Sequence, residues 1–300
     1  MRLLLTLLTV WLFAACSSPA AKRAEVRPAH RFTPPVSPYL ESERQIDFLR
    51  FHYWDNFDFA DTVALRAADS VLMLRHFARF AAVCASAPRD RAPIDSLMRR
   101  AASSRLMLDY FAWMAEEVFH DPESPLRSDE HYIPVLEALL AAPYYNEYER
   151  MVPTFDLERA RLNRLGAAAN DFAFTSRAGH KGSLYGVKAP QTLLFFSNPD
   201  CAMCASLKAE LEAAEPIARA VAEGRLRVVV CYVDEELDMW RAKREPMPKG
   251  WLDVADTEGR IRGEGLYDLR AIPSLYLLDE KKRVVVKDAI TAFEIVPALL

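Results

Sequence analysis

The chain has 300 residues, 51% of them hydrophobic, with 38 basic and 42 acidic side chains and a formal net charge of −4. That length can bury a substantial core and holds two domains. The composition is too apolar and aromatic for a disordered chain, and the charge leaves no electrostatic footprint for nucleic acid. All nine glycines lie at or beyond Gly166. Hairpins and tight turns draw on glycine for positive φ, so the glycine-free stretch predicts a helical first part and a mixed second part. Beyond the N-terminal segment, no apolar run approaches the roughly 20 residues that span a bilayer.

Met1-Arg2 is followed by an apolar run, Leu3 to Ala15, that closes on Phe13-Ala14-Ala15-Cys16. A basic start, a short apolar stretch and small residues before the break read as an export signal, too short for a membrane-spanning helix. The segment resembles a bacterial lipoprotein signal, with Phe13 where leucine is usual. That resemblance implies cleavage before Cys16, acylation of Cys16, and a lipid anchor in the cell envelope on the periplasm-facing side. Several acyl chains on one residue hold a protein stably at a membrane. Residues 16–41 contain Pro19, Pro28, Pro34, Pro35 and Pro38 with few large apolar residues, and read as a flexible tether.

From residue 42 to 167 a helical period dominates. Leu40, Ile46, Leu49 and Tyr53 open it, and the aromatic-acidic stretch from His52 to Phe59 interrupts it. Asp61 is a candidate N-cap for a helix carrying Leu65, Leu72, Phe77, Phe80 and Val83. Pro93 opens another helix, and Ile94 to Val118 keep the period until Asp121-Pro122-Glu123-Ser124-Pro125 breaks it. Ser128 can cap the next helix, and a last one through Leu157, Leu162 and Leu165 stops at Gly166. The pattern predicts a bundle of about five helices. Glu117 and His120 have the spacing of a di-iron ligand pair, but such a site needs a second copy, and the pair reads as a solvated helix end. His52 with Asp55 and Asp58 reads as a structural corner, and Cys84 as a small core hydrophobe.

The period changes after Asn170-Asp171. Phe172, Phe174 and the Gly179-His180-Lys181-Gly182 turn predict a hairpin. Thr192-Leu193-Leu194-Phe195-Phe196 is a wholly apolar strand, as expected where both sheet faces are covered. It runs into Ser197-Asn198-Pro199-Asp200-Cys201-Ala202-Met203-Cys204 and then an amphipathic helix with Leu207, Leu211, Ala214 and Ile217. Arg227–Val233, Ala271–Asp279 and Val284–Val286 read as further strands. The segment between Asp234 and Leu266, rich in glycine, reads as a mobile loop bordering the substrate, with Trp251 in it beside the site or in packing.

Cys201 and Cys204 carry the chemistry. A pair placed where a buried strand becomes a helix puts Cys201 at the helix N-terminus, where free amides and the dipole favour thiolate. Cys204, one turn on, can resolve a mixed disulfide by attacking Cys201. A carboxylate at Asp200 works against the thiolate. Structural zinc would need two more ligands, and no second close pair exists, so no metal is expected. A purely structural bridge across two residues would restrain the unfolded chain little. A Cys84–Cys231 bridge remains open.

The strand–Cys201-Ala202-Met203-Cys204–helix unit, with Ile272-Pro273 some seventy residues later, resembles the thioredoxin fold of the membrane-tethered TlpA/ResA-like branch. The resemblance implies a mixed central sheet flanked by helices over residues 168–300. It also implies a cis bond at Pro273 that presents the Ile272 backbone to a substrate chain. Two relay positions of that family, a buried acid and a lysine, fall on Phe195 and Val230. The whole chain is similar to a Bacteroides-type lipoprotein architecture, on His52-Tyr53-Trp54-Asp55, Phe57-Asp58-Phe59, Asp121-Pro122-Glu123-Ser124-Pro125 and Asn170-Asp171-Phe172. In it a helical module of unknown function precedes the thioredoxin-like domain. The expectation is an all-helical bundle followed by a thioredoxin-like α/β domain acting as a thiol-disulfide oxidoreductase, with no cofactor beyond a Cys201–Cys204 disulfide. Its partners would be thiols of exported proteins and an electron donor or acceptor. The alternative is a lipoprotein that binds a partner without catalysis.

Overall fold

The structure is a computed structural model that describes residues 32–35, 41–67, 69–243 and 246–300. The expected export signal over 1–15 and the expected acylation site at Cys16 lie outside the described residues. So does most of the tether, but Phe32 within it is buried and stacks on Trp54 at 4.9 Å between ring centroids. The chain has therefore joined the helical core before the first helix begins.

Among the described residues seven α-helices make up the first domain: α1 (Ser42–His52), α2 (Thr62–Ala67), α3 (Ser70–Cys84), α4 (Ala92–Ala101), α5 (Arg105–Ala115), α6 (Asp129–Ala141) and α7 (Met151–Ala160). The long period from Ile94 to Val118 is two helices, because Ser104 leaves the helical region and caps α5 by accepting from the Met107 amide. Asp69 caps α3 in the same way, and Ser128 caps α6 as expected. A single π-helical turn, Glu116–His120, ends α5. The last helix stops at Ala160, earlier than expected, and Gly166 (φ +79°) turns the connection to the second domain. The aromatic stretch is the keystone of this core. Trp54 is 3% exposed and meets Phe57, Phe80 and Phe111 edge-on while Phe32 covers its face. Such pairs add about 0.5–1.5 kcal/mol each beyond area burial.

In the second domain a seven-stranded sheet has the order β2-β1-β5-β4-β3-β6-β7. Its strands are β1 (Ala173–Ser176), β2 (Lys181–Ser183), β3 (Gln191–Phe196), β4 (Leu226–Tyr232), β5 (Trp251–Ala255), β6 (Ser274–Asp279) and β7 (Val284–Ala289). β3 lies parallel to β4 and antiparallel to β6, and β4 is parallel to β5. Alternate residues of β3 feed two cores. Leu193 and Phe195 pack under α8 (Ala202–Ala213), α9 (Glu215–Ala222) and α12 (Ala292–Ile295), while Leu194 and Phe196 meet Phe172, Tyr267 and Tyr276 on the other face. The Asp234–Leu266 segment is not a loop. It holds α10 (Leu237–Ala242), β5 and the single turn α11 (Arg260–Gly263). β5 was hidden because Asp253 interrupts its apolar pattern, and that carboxylate is paired with Arg177 and accepts from Trp240 Nε1. Cys84 sits in the helical core and Cys231 in β4, so the bridge between them does not form. Burial pushes Cys84 up to about 12, which suits its expected role as a core hydrophobe.

The domains meet through charge. Asp129 at the start of α6 is paired with Lys287 Nζ (2.7 Å) and Arg270 Nη2 (3.3 Å), both from the second domain. Lys287 also donates to the Ala160 and Leu162 carbonyls. His120 is no solvated helix end: it stacks on Tyr132, and its carbonyl accepts from Arg270 Nη1 at 3.0 Å.

Trp54→Ala should destabilise the helical domain by about 3–5 kcal/mol, the range for truncating a buried aromatic. Denaturant unfolding followed by far-ultraviolet circular dichroism measures it, and a loss below about 1 kcal/mol would show that the aromatic cluster is not the keystone.

Candidate active site

β3 ends at Phe196, and the chain turns into α8 within five residues. Asn198 builds the turn. Its Oδ1 accepts from the Asp200 amide (2.9 Å), its carbonyl accepts from the Cys201 amide (3.1 Å), and its Nδ2 donates to Asp234 Oδ2 (2.6 Å). Cys201 is thereby the N-cap of α8, and its Sγ accepts from the Cys204 amide at 3.1 Å. An amide of the first helical turn aimed at a sulfur stabilises negative charge there. Cys201 is partly exposed, while Cys204 is 2% exposed. Burial, and then the neighbouring Cys201 sulfur, push the Cys204 thiol up to about 12. The two cysteines thus differ in depth: one is reachable at the helix end, and the other is buried with its thiol pushed up.

Facing them is the segment before β6. The Ile272-Pro273 peptide bond is cis, as the resemblance implied, and the Ile272 carbonyl lies 3.8 Å from Cys201 Sγ. A disulfide sulfur brought to Cys201 therefore meets a backbone carbonyl held beside it. Behind the pair the sheet is apolar. Phe195 and Val230 are register partners in β3 and β4, both buried with Cys204 and Leu275, so no ionisable group stands at either relay position.

One expectation changes and one open alternative closes. Asp200 does precede Cys201, but Lys243 forms an ion pair with it and counters its charge. Lys243 is held in place because Arg177 Nη2 donates to its carbonyl (2.9 Å) while the Arg177 guanidinium lies 4.4 Å over the Trp240 ring. Trp251 does not border the site. It lies in β5 and pairs with Val228 near the start of β4, whereas the cysteine turn follows the far end of β3 beside Cys231. The tryptophan close to the site is Trp240, which with Ser197, Pro199, Lys243 and Met247 lines a small depression beside the turn. Neither Lys243 nor Trp240 belongs to a motif, and both arrive through α10, so no local signal pointed to them. The His52 group is open to solvent, with His52 Nδ1 bound to Asp55 Oδ2 at 2.7 Å, while the neighbouring Trp54, Phe57 and Phe59 form the buried corner.

Residues 27–163 match a domain of unknown function (DUF5106). No curated protein matches the chain. Among solved structures, a thioredoxin-like protein from Bacteroides caccae shares 36% identity, with a TM-score of 0.79 over 88% of this chain and 96% of that one. The C-terminal domain of an uncharacterized protein from Bacteroides fragilis is 44% identical, covering 46% of this chain and 97% of its own, with a TM-score of 0.44. A domain of a possible thiol-disulfide isomerase from Cytophaga hutchinsonii is 26% identical over 43% of this chain and 86% of that one, with a TM-score of 0.34. The architecture is thus a helical region followed by a thioredoxin-like domain.

Burial and the neighbouring Cys201 sulfur push the Cys204 thiol up to about 12, well above pH 8. Brief treatment of the reduced protein with iodoacetamide at pH 8 should therefore label Cys201 and spare Cys204, Cys84 and Cys231, as read by peptide mass mapping. Equal labelling of Cys201 and Cys204 would contradict the asymmetry.

Proposed function

This chain belongs to the family of the thioredoxin-like protein of Bacteroides caccae, and on that premise we propose that it is a thiol-disulfide oxidoreductase acting through Cys201 and Cys204. The observation that carries the reading is the Cys201 sulfur at the N-terminus of α8, accepting the Cys204 amide and facing the Ile272 carbonyl. In the first step the Cys201 thiolate attacks one sulfur of a substrate disulfide. A Cys201–substrate disulfide forms and the other substrate sulfur leaves as thiolate. Cys204 then gives up its proton to the departing sulfur and attacks Cys201. The mixed disulfide breaks, the second substrate thiol is released, and a Cys201–Cys204 disulfide remains. The substrate gains two electrons and the cysteine pair loses two. A partner dithiol restores the pair, and run in reverse the same steps oxidise a substrate. Ile272 and Pro273 form the wall along which the substrate backbone lies.

The remaining parts of the proposal are cellular. Acylated at Cys16, the protein would be held at a membrane in the cell envelope, facing the periplasm. Its substrates would be thiols and disulfides of exported proteins, as the export signal and tether favour.

In a Cys204→Ser variant the first step proceeds and the second cannot, so mixed disulfides should accumulate on Cys201, visible as adducts on non-reducing gels that thiols remove. Cys201→Ser should form none and lose at least about a thousandfold in disulfide exchange, as loss of a nucleophile does. Absence of any adduct in Cys204→Ser would remove the reading.

A further inference from the structure

The helical domain reaches the substrate-facing segment from both ends. On the N-terminal side, Arg270 stands two residues before Ile272. Its guanidinium donates to the His120 carbonyl (3.0 Å) and to His120 Nδ1 (2.6 Å), and pairs with Asp129 Oδ1 (3.3 Å). On the C-terminal side, Ser274 follows Pro273 directly and donates its hydroxyl proton to Asp288 Oδ1 at 2.7 Å. Asp288 lies in a bulge of β7, where the register slips between Leu275–Ala289 and Leu277–Val286. Its φ of +54° is a left-handed conformation that a non-glycine residue adopts only when surrounding contacts hold it. Beside the Ser274 hydroxyl, a contact from the helical domain holds it: Arg127 Nε donates to the Asp288 carbonyl at 2.8 Å, and Arg127 Nη2 pairs with Glu294 at 2.9 Å. The Arg127 side chain is 7% exposed and that of Asp129 4% exposed.

We propose that Arg127 and Asp129 of the helical domain are positioning residues for thiol-disulfide exchange, setting the Ile272-Pro273 segment against Cys201 through Asp288–Ser274 and Arg270. This rests on the exchange reading above and gives the helical domain a part in it. A substrate polypeptide lies along the segment, so the segment's placement governs binding of a polypeptide disulfide. A small disulfide needs only the Cys201 sulfur and is indifferent to it.

The test uses the full chain, with a disulfide-bridged peptide and, separately, cystamine as substrates. In Asp129→Asn and Arg127→Gln, KM for the peptide should rise at least about fivefold, since ångström-scale misplacement of a binding group costs up to about a hundredfold. Peptide kcat and the cystamine rate should stay within about twofold of the parent. Glu137→Gln, which breaks the Arg91 and Arg161 ion pairs of α6 away from the second domain, should leave peptide KM unchanged. If Asp129→Asn or Arg127→Gln fails to fold, Arg127→Lys decides the matter, because it keeps the charge while removing the fork that spans Asp288 and Glu294. An unchanged peptide KM in the folded variants, or a cystamine rate that falls in parallel, overturns the proposal. Parent protein that does not react with cystamine through Cys201 overturns the exchange reading instead, and the positioning proposal with it.

Discussion

The burial of β3 on both faces is the constraint from which the chemistry follows. Leu193 to Phe196 are inaccessible to solvent, with odd and even residues in separate cores and hydrogen-bonded neighbours on both edges. A strand so enclosed has no freedom of register, because a slip of one residue would exchange its two faces. The turn that follows is therefore delivered to one place, and Asn198 closes it so that Cys201 caps α8. The difference between the two cysteines then comes from depth and from the helix-end amide that reaches the Cys201 sulfur. Cys201 stays at the rim, and Cys204, one helical turn further, falls onto Phe195 and Val230.

The joint between the domains obeys a different rule. Buried ion pairs contribute little net stability, since desolvation offsets most of their attraction, yet removing one partner is costly. Arg127, Asp129, Arg270, Lys287 and Asp288 form such a group, and burial pushes the Asp288 carboxyl up to about 6. An apolar joint of the same area would hold the domains together and tolerate sliding. Charges with few permitted partners select one docking. Here that docking also braces the segment that carries Ile272.

How far the fold was legible depends on how local its determinants are. β3, β4 and β6 announced themselves because strands buried on both faces read as unbroken apolar runs. Ser128 and the Gly179 turn were visible as capping and turn chemistry. β5 was not, because Asp253 sits in its middle and is tolerated only through Arg177 and Trp240, which come from β1's end and α10. The split between α4 and α5 hung on the φ of Ser104, to which hydrophobic period is blind. His120 looked solvated because Arg270, which binds its carbonyl, lies 150 positions away in the chain.

By itself the sequence determined a helical half and a mixed half, and the strand that leads into Cys201-Ala202-Met203-Cys204. These follow from composition, short-range periodicity and the backbone limits of single residues, all of which operate within a few positions. Tertiary structure alone decided that Lys243 counters Asp200, that Trp240 and not Trp251 neighbours the site, and that Asp129 meets Arg270 and Lys287. Those are pairings between elements far apart in the chain. No local pattern encodes them, because the energy that selects each partner exists only once folding has removed both from water.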